Sequence, residues 1–211
     1  MTHDLFSDAI TSADALREIY ELPSGAAASK EIPALDEMAR RLIACSPIVF
    51  LASADAQGRC DVTPRGGPAG FVSVLDDGTM VIPDATGNRR IDTLRNVVET
   101  GRLGLIFLIP GRGQTLRVNG RACVSARPKL LAELTNVGKP PRSALVVTPD
   151  EVFTHCPKAF VRSGVWKPET WPAADAQPSP AEVTLAHLGD PNLTLAQVEQ
   201  DQIDSLRYRL A

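Results

Sequence analysis

The chain has 211 residues, 44% of them hydrophobic and 22% charged, and a formal net charge of -3. That balance suits one globular core with small appendages, and it offers no electrostatic case for nucleic acid or an anionic membrane as the main partner. No apolar run approaches the ~20 residues of a membrane span. The first residues also lack the basic and apolar regions of a signal peptide, so a cytoplasmic location is expected.

Cys45, Cys60, Cys123 and Cys156 are scattered without C-x-x-C pairing, and His3, His155 and His187 are far apart. Neither disulfides nor a metal site is expected. Three of the cysteines lie in apolar segments, where a free thiol behaves as a small hydrophobe.

In chain order, residues 7–22 have the spacing of an amphipathic helix, with Ile10, Leu16, Ile19 and Leu22 apolar and Ser7 or Ser12 as cap. Pro23-Ser24-Gly25 ends it, and a small-residue linker leads to Ile32. Residues 34–45 are a second helix candidate, with Leu35, Met38, Leu42 and Ile43 on one side. From Ile48 the pattern changes to short strands. Ile48–Ala52 is a continuous apolar run that suits a strand covered on both faces. Residues 59–63 resume as its partner and are interrupted by Pro64-Arg65-Gly66-Gly67-Pro68. Residues 71–75 and 80–82 flank an Asp76-Asp77-Gly78 hairpin turn. Asn88 sits where a helix N-cap belongs, with Arg89 and Arg90 in the first turn and Ile91, Leu94, Val97 and Val98 at helical spacing. Strands follow at 103–109, 114–125 and 144–153, with a short helix over 127–136. A helix leading into a turn covers 156–166, a Pro- and Ala-rich surface loop 168–192, and a last amphipathic helix 194–210.

Short strands at close spacing, interrupted by helices, define the expected class: α+β, mainly β, a six- or seven-stranded antiparallel barrel with peripheral helices. Most strand-to-strand connections are too short for the crossovers of a parallel sheet. The expected domains are an N-terminal helix and linker (1–31), the barrel (32–168), and a Pro/Ala-rich segment with the C-terminal helix (169–211).

Two basic corners carry the candidate chemistry. Cations at a helix N-terminus oppose the macrodipole, so Arg89 and Arg90 either point into water or hold an anion against free backbone amides. Arg65 stands beside two glycines, which let a backbone approach a ligand closely or simply make a wide turn. No residue is a convincing general base. His155 and Cys156 are neighbours on a strand and point to opposite faces.

The order Asp61-Val62-Thr63-Pro64-Arg65-Gly66, Val81-Ile82-Pro83-Asp84, Gly87-Asn88-Arg89-Arg90 resembles the FMN-binding split barrel of the pyridoxamine 5'-phosphate oxidase superfamily. Asp92–Asn96 and Leu116–Ala122 continue the match, which residues 32–168 carry. Cys60–Gly67 and Arg162-Ser163-Gly164-Val165-Trp166 are similar to motifs of its FMN-dependent enzyme branch. The resemblance implies FMN as cofactor, held between the subunits of a homodimer. It implies that Arg65, Asn88, Arg89 and Arg90 grip the phosphate and ribityl chain, and that Val81, Ile82 and Pro83 line the flavin. It further implies contacts from Gln114 and Thr115 of a partner subunit, and from Arg162, Ser163 and Trp166.

The true oxidases end in a Trp and a basic segment that holds pyridoxal phosphate. This chain ends Ser205-Leu206-Arg207-Tyr208-Arg209-Leu210-Ala211 and lacks it. The expected function is therefore an FMN-dependent oxidoreductase of that family acting on another small molecule. The alternatives are a non-catalytic flavin-binding or sensor protein, or a barrel that uses deazaflavin or haem.

Overall fold

In a computed structural model, which describes residues 6–85, 87–135 and 137–208, the chain forms two compact units, Met1–Glu31 and Ile32–Ala211. The readings placed on His3, Thr86, Asn136 and residues 209–211 fall outside the described residues. The first unit holds α1 (Ala13–Ile19) and α2 (Ala26–Ser29), neither with a buried residue. Ser12 caps α1 by accepting from Ala15 N. The helix expected over 7–22 is thus shorter, and Ile10, Leu16, Ile19 and Leu22 are exposed.

The second unit is built on one seven-stranded antiparallel sheet in the order β2-β1-β5-β6-β7-β4-β3. Its strands are β1 (Ile48–Ala54), β2 (Cys60–Gly66), β3 (Ser73–Val74), β4 (Met80–Asp84), β5 (Arg102–Leu108), β6 (Thr115–Ser125) and β7 (Ser143–His155). The sheet curls into the mainly β split barrel expected from the sequence, around a core of Val49, Leu51, Phe107, Leu105, Val118, Ile82, Leu145 and Val152. A bulge between Asn119 and Gly120 lets β6 bend, and a Cβ at Gly120 would lie 2.2 Å from the Thr148 carbonyl oxygen.

Two helices close the barrel. α3 (Glu37–Ala44), capped by Asp36, buries Ala39 and Ile43, while Met38 on its expected apolar side is exposed. α4 (Asp92–Thr100) buries Thr93, Asn96 and Val97 and ends on left-handed Gly101. A short α5 (Pro128–Ala132) stands where the sequence suggests a helix to Asn136, and α6 (Lys158–Ser163) follows β7.

Three expectations are corrected. β1 is not covered on both faces: Val49 and Leu51 are buried and Phe50 points outward, 36% exposed. The strand is half-buried because hydrophobics fill both sides of the run and the core takes only one. All four cysteines are exposed. Residues 168–192 are not simply a loop. They contain short 3-10 turns at Pro168–Thr170 and Ala174–Ala176, and then α7 (Pro180–Leu188). α7 pairs with α8 (Leu195–Tyr208), burying Ala181 and Val198. No described helix is long and apolar enough to cross a membrane.

Candidate functional site

The curl brings the ends of β2, β4 and β7 to the segment that enters α4, and a cleft of about 790 Å³ opens between them. Arg65 and Thr63 come from β2, and Asp84 ends β4. Asn88, Arg89 and Arg90 lie in the connection to α4, Arg142 immediately precedes β7, and Ser143 opens it. The two basic corners read from the sequence therefore share one cleft.

Local structure explains each placement. Pro64 is tolerated inside β2 because β2 is an edge strand and pairs only with β1. Arg65 is thus a strand residue and not part of a glycine loop. Gly67 serves packing: a Cβ there would lie 2.5 Å from Val137 and 2.8 Å from Phe71. Nor is Asn88 a helix cap. α4 begins at Asp92, and Asn88 Oδ1 accepts from Arg90 N at 2.9 Å to form a tight turn across Arg89. Arg89 takes the left-handed conformation, φ 63°, the one described non-glycine residue to do so. The arginines precede the helix rather than occupy its first turn.

The charges in the cleft are unevenly matched. Arg65 Nη2 lies 3.3 Å from Asp84 Oδ1, and its Nη1 donates to Thr63 Oγ1 and to the Pro64 carbonyl. Burial lifts the Asp84 carboxyl above its ordinary range and outweighs the pull of Arg65. The reason is geometric: the guanidinium is shared among three acceptors, and its distance to Asp84 is at the long end for a charged contact. Arg90 Nε pairs with Asp92 at 2.9 Å, an exposed contact. Buried Thr93 donates through Oγ1 to Asp61 Oδ2 at 2.6 Å and so ties α4 to β2 in the wall of the cleft. Arg89 and Arg142 line the cleft with no ion-pair partner among the described residues. Val62, Ile91 and Leu94 supply apolar wall.

The remaining expected site residues lie elsewhere in the protomer. Val81, Ile82 and Pro83 are buried in β4, paired with Val146, Leu145 and Ala144, and do not line the cleft. Gln114 precedes β6 and buried Thr115 begins it, pairing with His155 at the far end of β7. Trp166 joins that end: its Nε1 donates to the Arg112 carbonyl at 2.9 Å, and its ring is parallel to Phe160 with centroids 6.0 Å apart. Arg162 and Ser163 close α6 there, with Ser163 Oγ bonded to the Phe160 carbonyl. A thirteen-residue strand separates the two groups, about 40 Å if straight. Asp61, Asp84, Thr93, Arg142 and Ser143 line the cleft without having been singled out as site residues. For Arg142 a signal existed in Gly138-Lys139-Pro140-Pro141-Arg142, a basic run stiffened by two prolines just ahead of a strand.

A family model for pyridoxamine 5'-phosphate oxidase matches residues 35–156, more than half of the chain. The chain belongs to the pyridoxamine 5'-phosphate oxidase family. No curated protein matches it. Among solved structures, a candidate pyridoxamine 5'-phosphate oxidase from Lactobacillus delbrueckii is 24% identical, with 59% of this chain and 98% of that one covered and a TM-score of 0.46. HupZ from Group A Streptococcus is 17% identical, with 57% and 93% covered and a TM-score of 0.45. A pyridoxamine 5'-phosphate oxidase-related, FMN-binding protein from Nostoc punctiforme is 14% identical, with 55% and 76% covered and a TM-score of 0.40.

Proposed function

We propose that this member of the pyridoxamine 5'-phosphate oxidase family is a cytoplasmic FMN-dependent oxidoreductase that acts on a small molecule other than pyridoxamine phosphate. The observation that carries the reading is the cleft holding Arg65, Asn88, Arg89 and Arg90 together beside apolar Val62 and Ile91. The donor set fits a phosphate, since guanidinium groups pair with its oxygens through charge-assisted hydrogen bonds. The apolar wall fits the body of a flavin. Bound FMN would supply hydride acceptance, and the chain's own part is binding, orientation and exclusion of water.

The reading includes a homodimer. Arg65 to Arg90 stand at one end of β7 and Gln114, Thr115, Arg162, Ser163 and Trp166 at the other, so one cofactor can meet both groups only if a second copy brings its own far end to the cleft. Phe50 and Ile106, opposite one another on β1 and β5, give the sheet an outward apolar face on which that copy can rest. The test is mass spectrometry and absorption of the ligand that purifies with the protein, followed by NAD(P)H reduction. FMN with turnover supports the reading. Haem or deazaflavin in its place overturns the cofactor, and FMN without turnover under any donor overturns the enzyme in favour of a binding protein.

A further inference from the structure

We infer that Arg142 and Arg89 form a two-arginine oxyanion clamp across the mouth of the cleft, with Arg142 a ligand of the cofactor phosphate. The inference rests on the FMN reading above and adds a residue to it. Charge matching points to this pair. Of the carboxylates that line the cleft, Asp84 engages Arg65, Asp92 engages Arg90, and Asp61 accepts from Thr93. Arg89 and Arg142 are left with no ion-pair partner among the described residues, in a cleft whose four arginines outnumber its three aspartates, and a phosphate monoester carries about -1.5 to -2 at pH 7.

Both residues are mounted to hold position. The Arg142 backbone N–H donates to the Asp84 carbonyl at 3.2 Å, and Ser143 pairs with Asp84 to open β7. Pro140 and Pro141 restrict the chain just before it, which lowers the entropy lost when the arginine is engaged. Arg89 is held in its left-handed turn by the Asn88 side chain. An exposed arginine without an ion pair is ordinary, and Arg95 on α4 is one among the described residues. What sets Arg142 apart is that it lines the same cleft as a second unpaired arginine on a constrained backbone.

The test compares FMN with riboflavin, which lacks the phosphate, by fluorescence titration of apoprotein carrying Arg142→Ala, Arg142→Lys, or Arg95→Ala as control. The clamp requires FMN affinity to fall by roughly 10- to 100-fold in Arg142→Ala. It also requires partial recovery in Arg142→Lys, no change in Arg95→Ala, and riboflavin affinity unaltered throughout. Equal losses for FMN and riboflavin overturn it, as does wild-type FMN affinity in Arg142→Ala. If wild-type protein binds neither flavin, the FMN reading itself has failed, and titration with inorganic phosphate then decides the clamp alone. Phosphate binding that survives Arg142→Ala overturns it, and binding lost in Arg142→Ala but kept in Arg95→Ala upholds it.

Discussion

Arg65 on β2 and Asp84 on β4 meet at 3.3 Å, although four strands lie between theirs in the sheet order. In a flat sheet five strand spacings would hold them about 24 Å apart. The contact therefore marks the place where the curled sheet nearly closes on itself, and the cleft lies there. The two side chains are 23% and 20% exposed, so water screens the pair only partly.

Asp84 should cost the protein stability at neutral pH. Its folded-state affinity for a proton is raised by burial, so the folded state binds that proton more tightly than the unfolded chain does. The contribution is fully present below the unfolded value of 3.8 and is lost as pH rises through the folded value. Asp84→Asn should match the wild type at about pH 3 and be the more stable protein near pH 7, as read from denaturation midpoints across that range. A less stable Asp84→Asn near pH 7 would show that attraction to Arg65 outweighs desolvation.

Arg65→Ala and Arg89→Ala should each weaken FMN binding by on the order of 1.5–3 kcal/mol, the value of a hydrogen bond to a charged group, while the fold is kept. Both side chains line the cleft and neither is part of the hydrophobic core. Fluorescence quenching gives the affinities and circular dichroism the fold. Unchanged affinity in both variants would remove the phosphate from this cleft.

The strands were legible in the sequence because their signals are local. Turn residues such as Asp76-Asp77-Gly78 and the apolar run Leu103–Ile109 say strand without help from the rest of the chain. Which face of a strand is covered is not local, and Phe50 and Val49 look alike until the sheet curls. Asn88 was misplaced because Asn serves equally as a helix cap and as the start of a tight turn. The left-handed Arg89 settles the choice, and no side-chain pattern announces it. α7 was missed although its signal is strong: Ser179-Pro180-Ala181-Glu182 is a capping box with proline in the first turn. The surrounding proline and alanine content concealed it. Arg142 reaches the cleft only because β4 and β7 pair, a long-range fact that spacing along the chain cannot carry.

The protein should be a dimer at micromolar concentration. Phe50 and Ile106 stand opposite one another on the outer face, and Val62 extends the apolar surface, 69% exposed. Ile106→Lys places a charge on that face where the side chain is already 38% exposed, so the protomer should fold and the dimer weaken. Sedimentation reports the mass of each protein. A wild-type monomer with FMN still bound would refute the two-copy site.

Pyridoxine and pyridoxamine 5'-phosphates should not be oxidised at a useful rate. Such a substrate carries its own phosphate and needs a second anion site beside the one that holds FMN. If Arg65, Arg89 and Arg142 serve the cofactor, the described part of the cleft leaves Arg90, which is exposed and already paired with Asp92. Arg207 lies on α8 with its guanidinium 5.2 Å from the Tyr208 ring centroid, on a helix that packs against α7. Arg162 from a second copy remains, and a single exposed contact of this kind is worth at most about 1 kcal/mol. The assay is pyridoxal 5'-phosphate formation by FMN-loaded protein. Turnover in the ordinary enzyme range of ~1–10³ per second would mean that a second phosphate site exists where these residues show none.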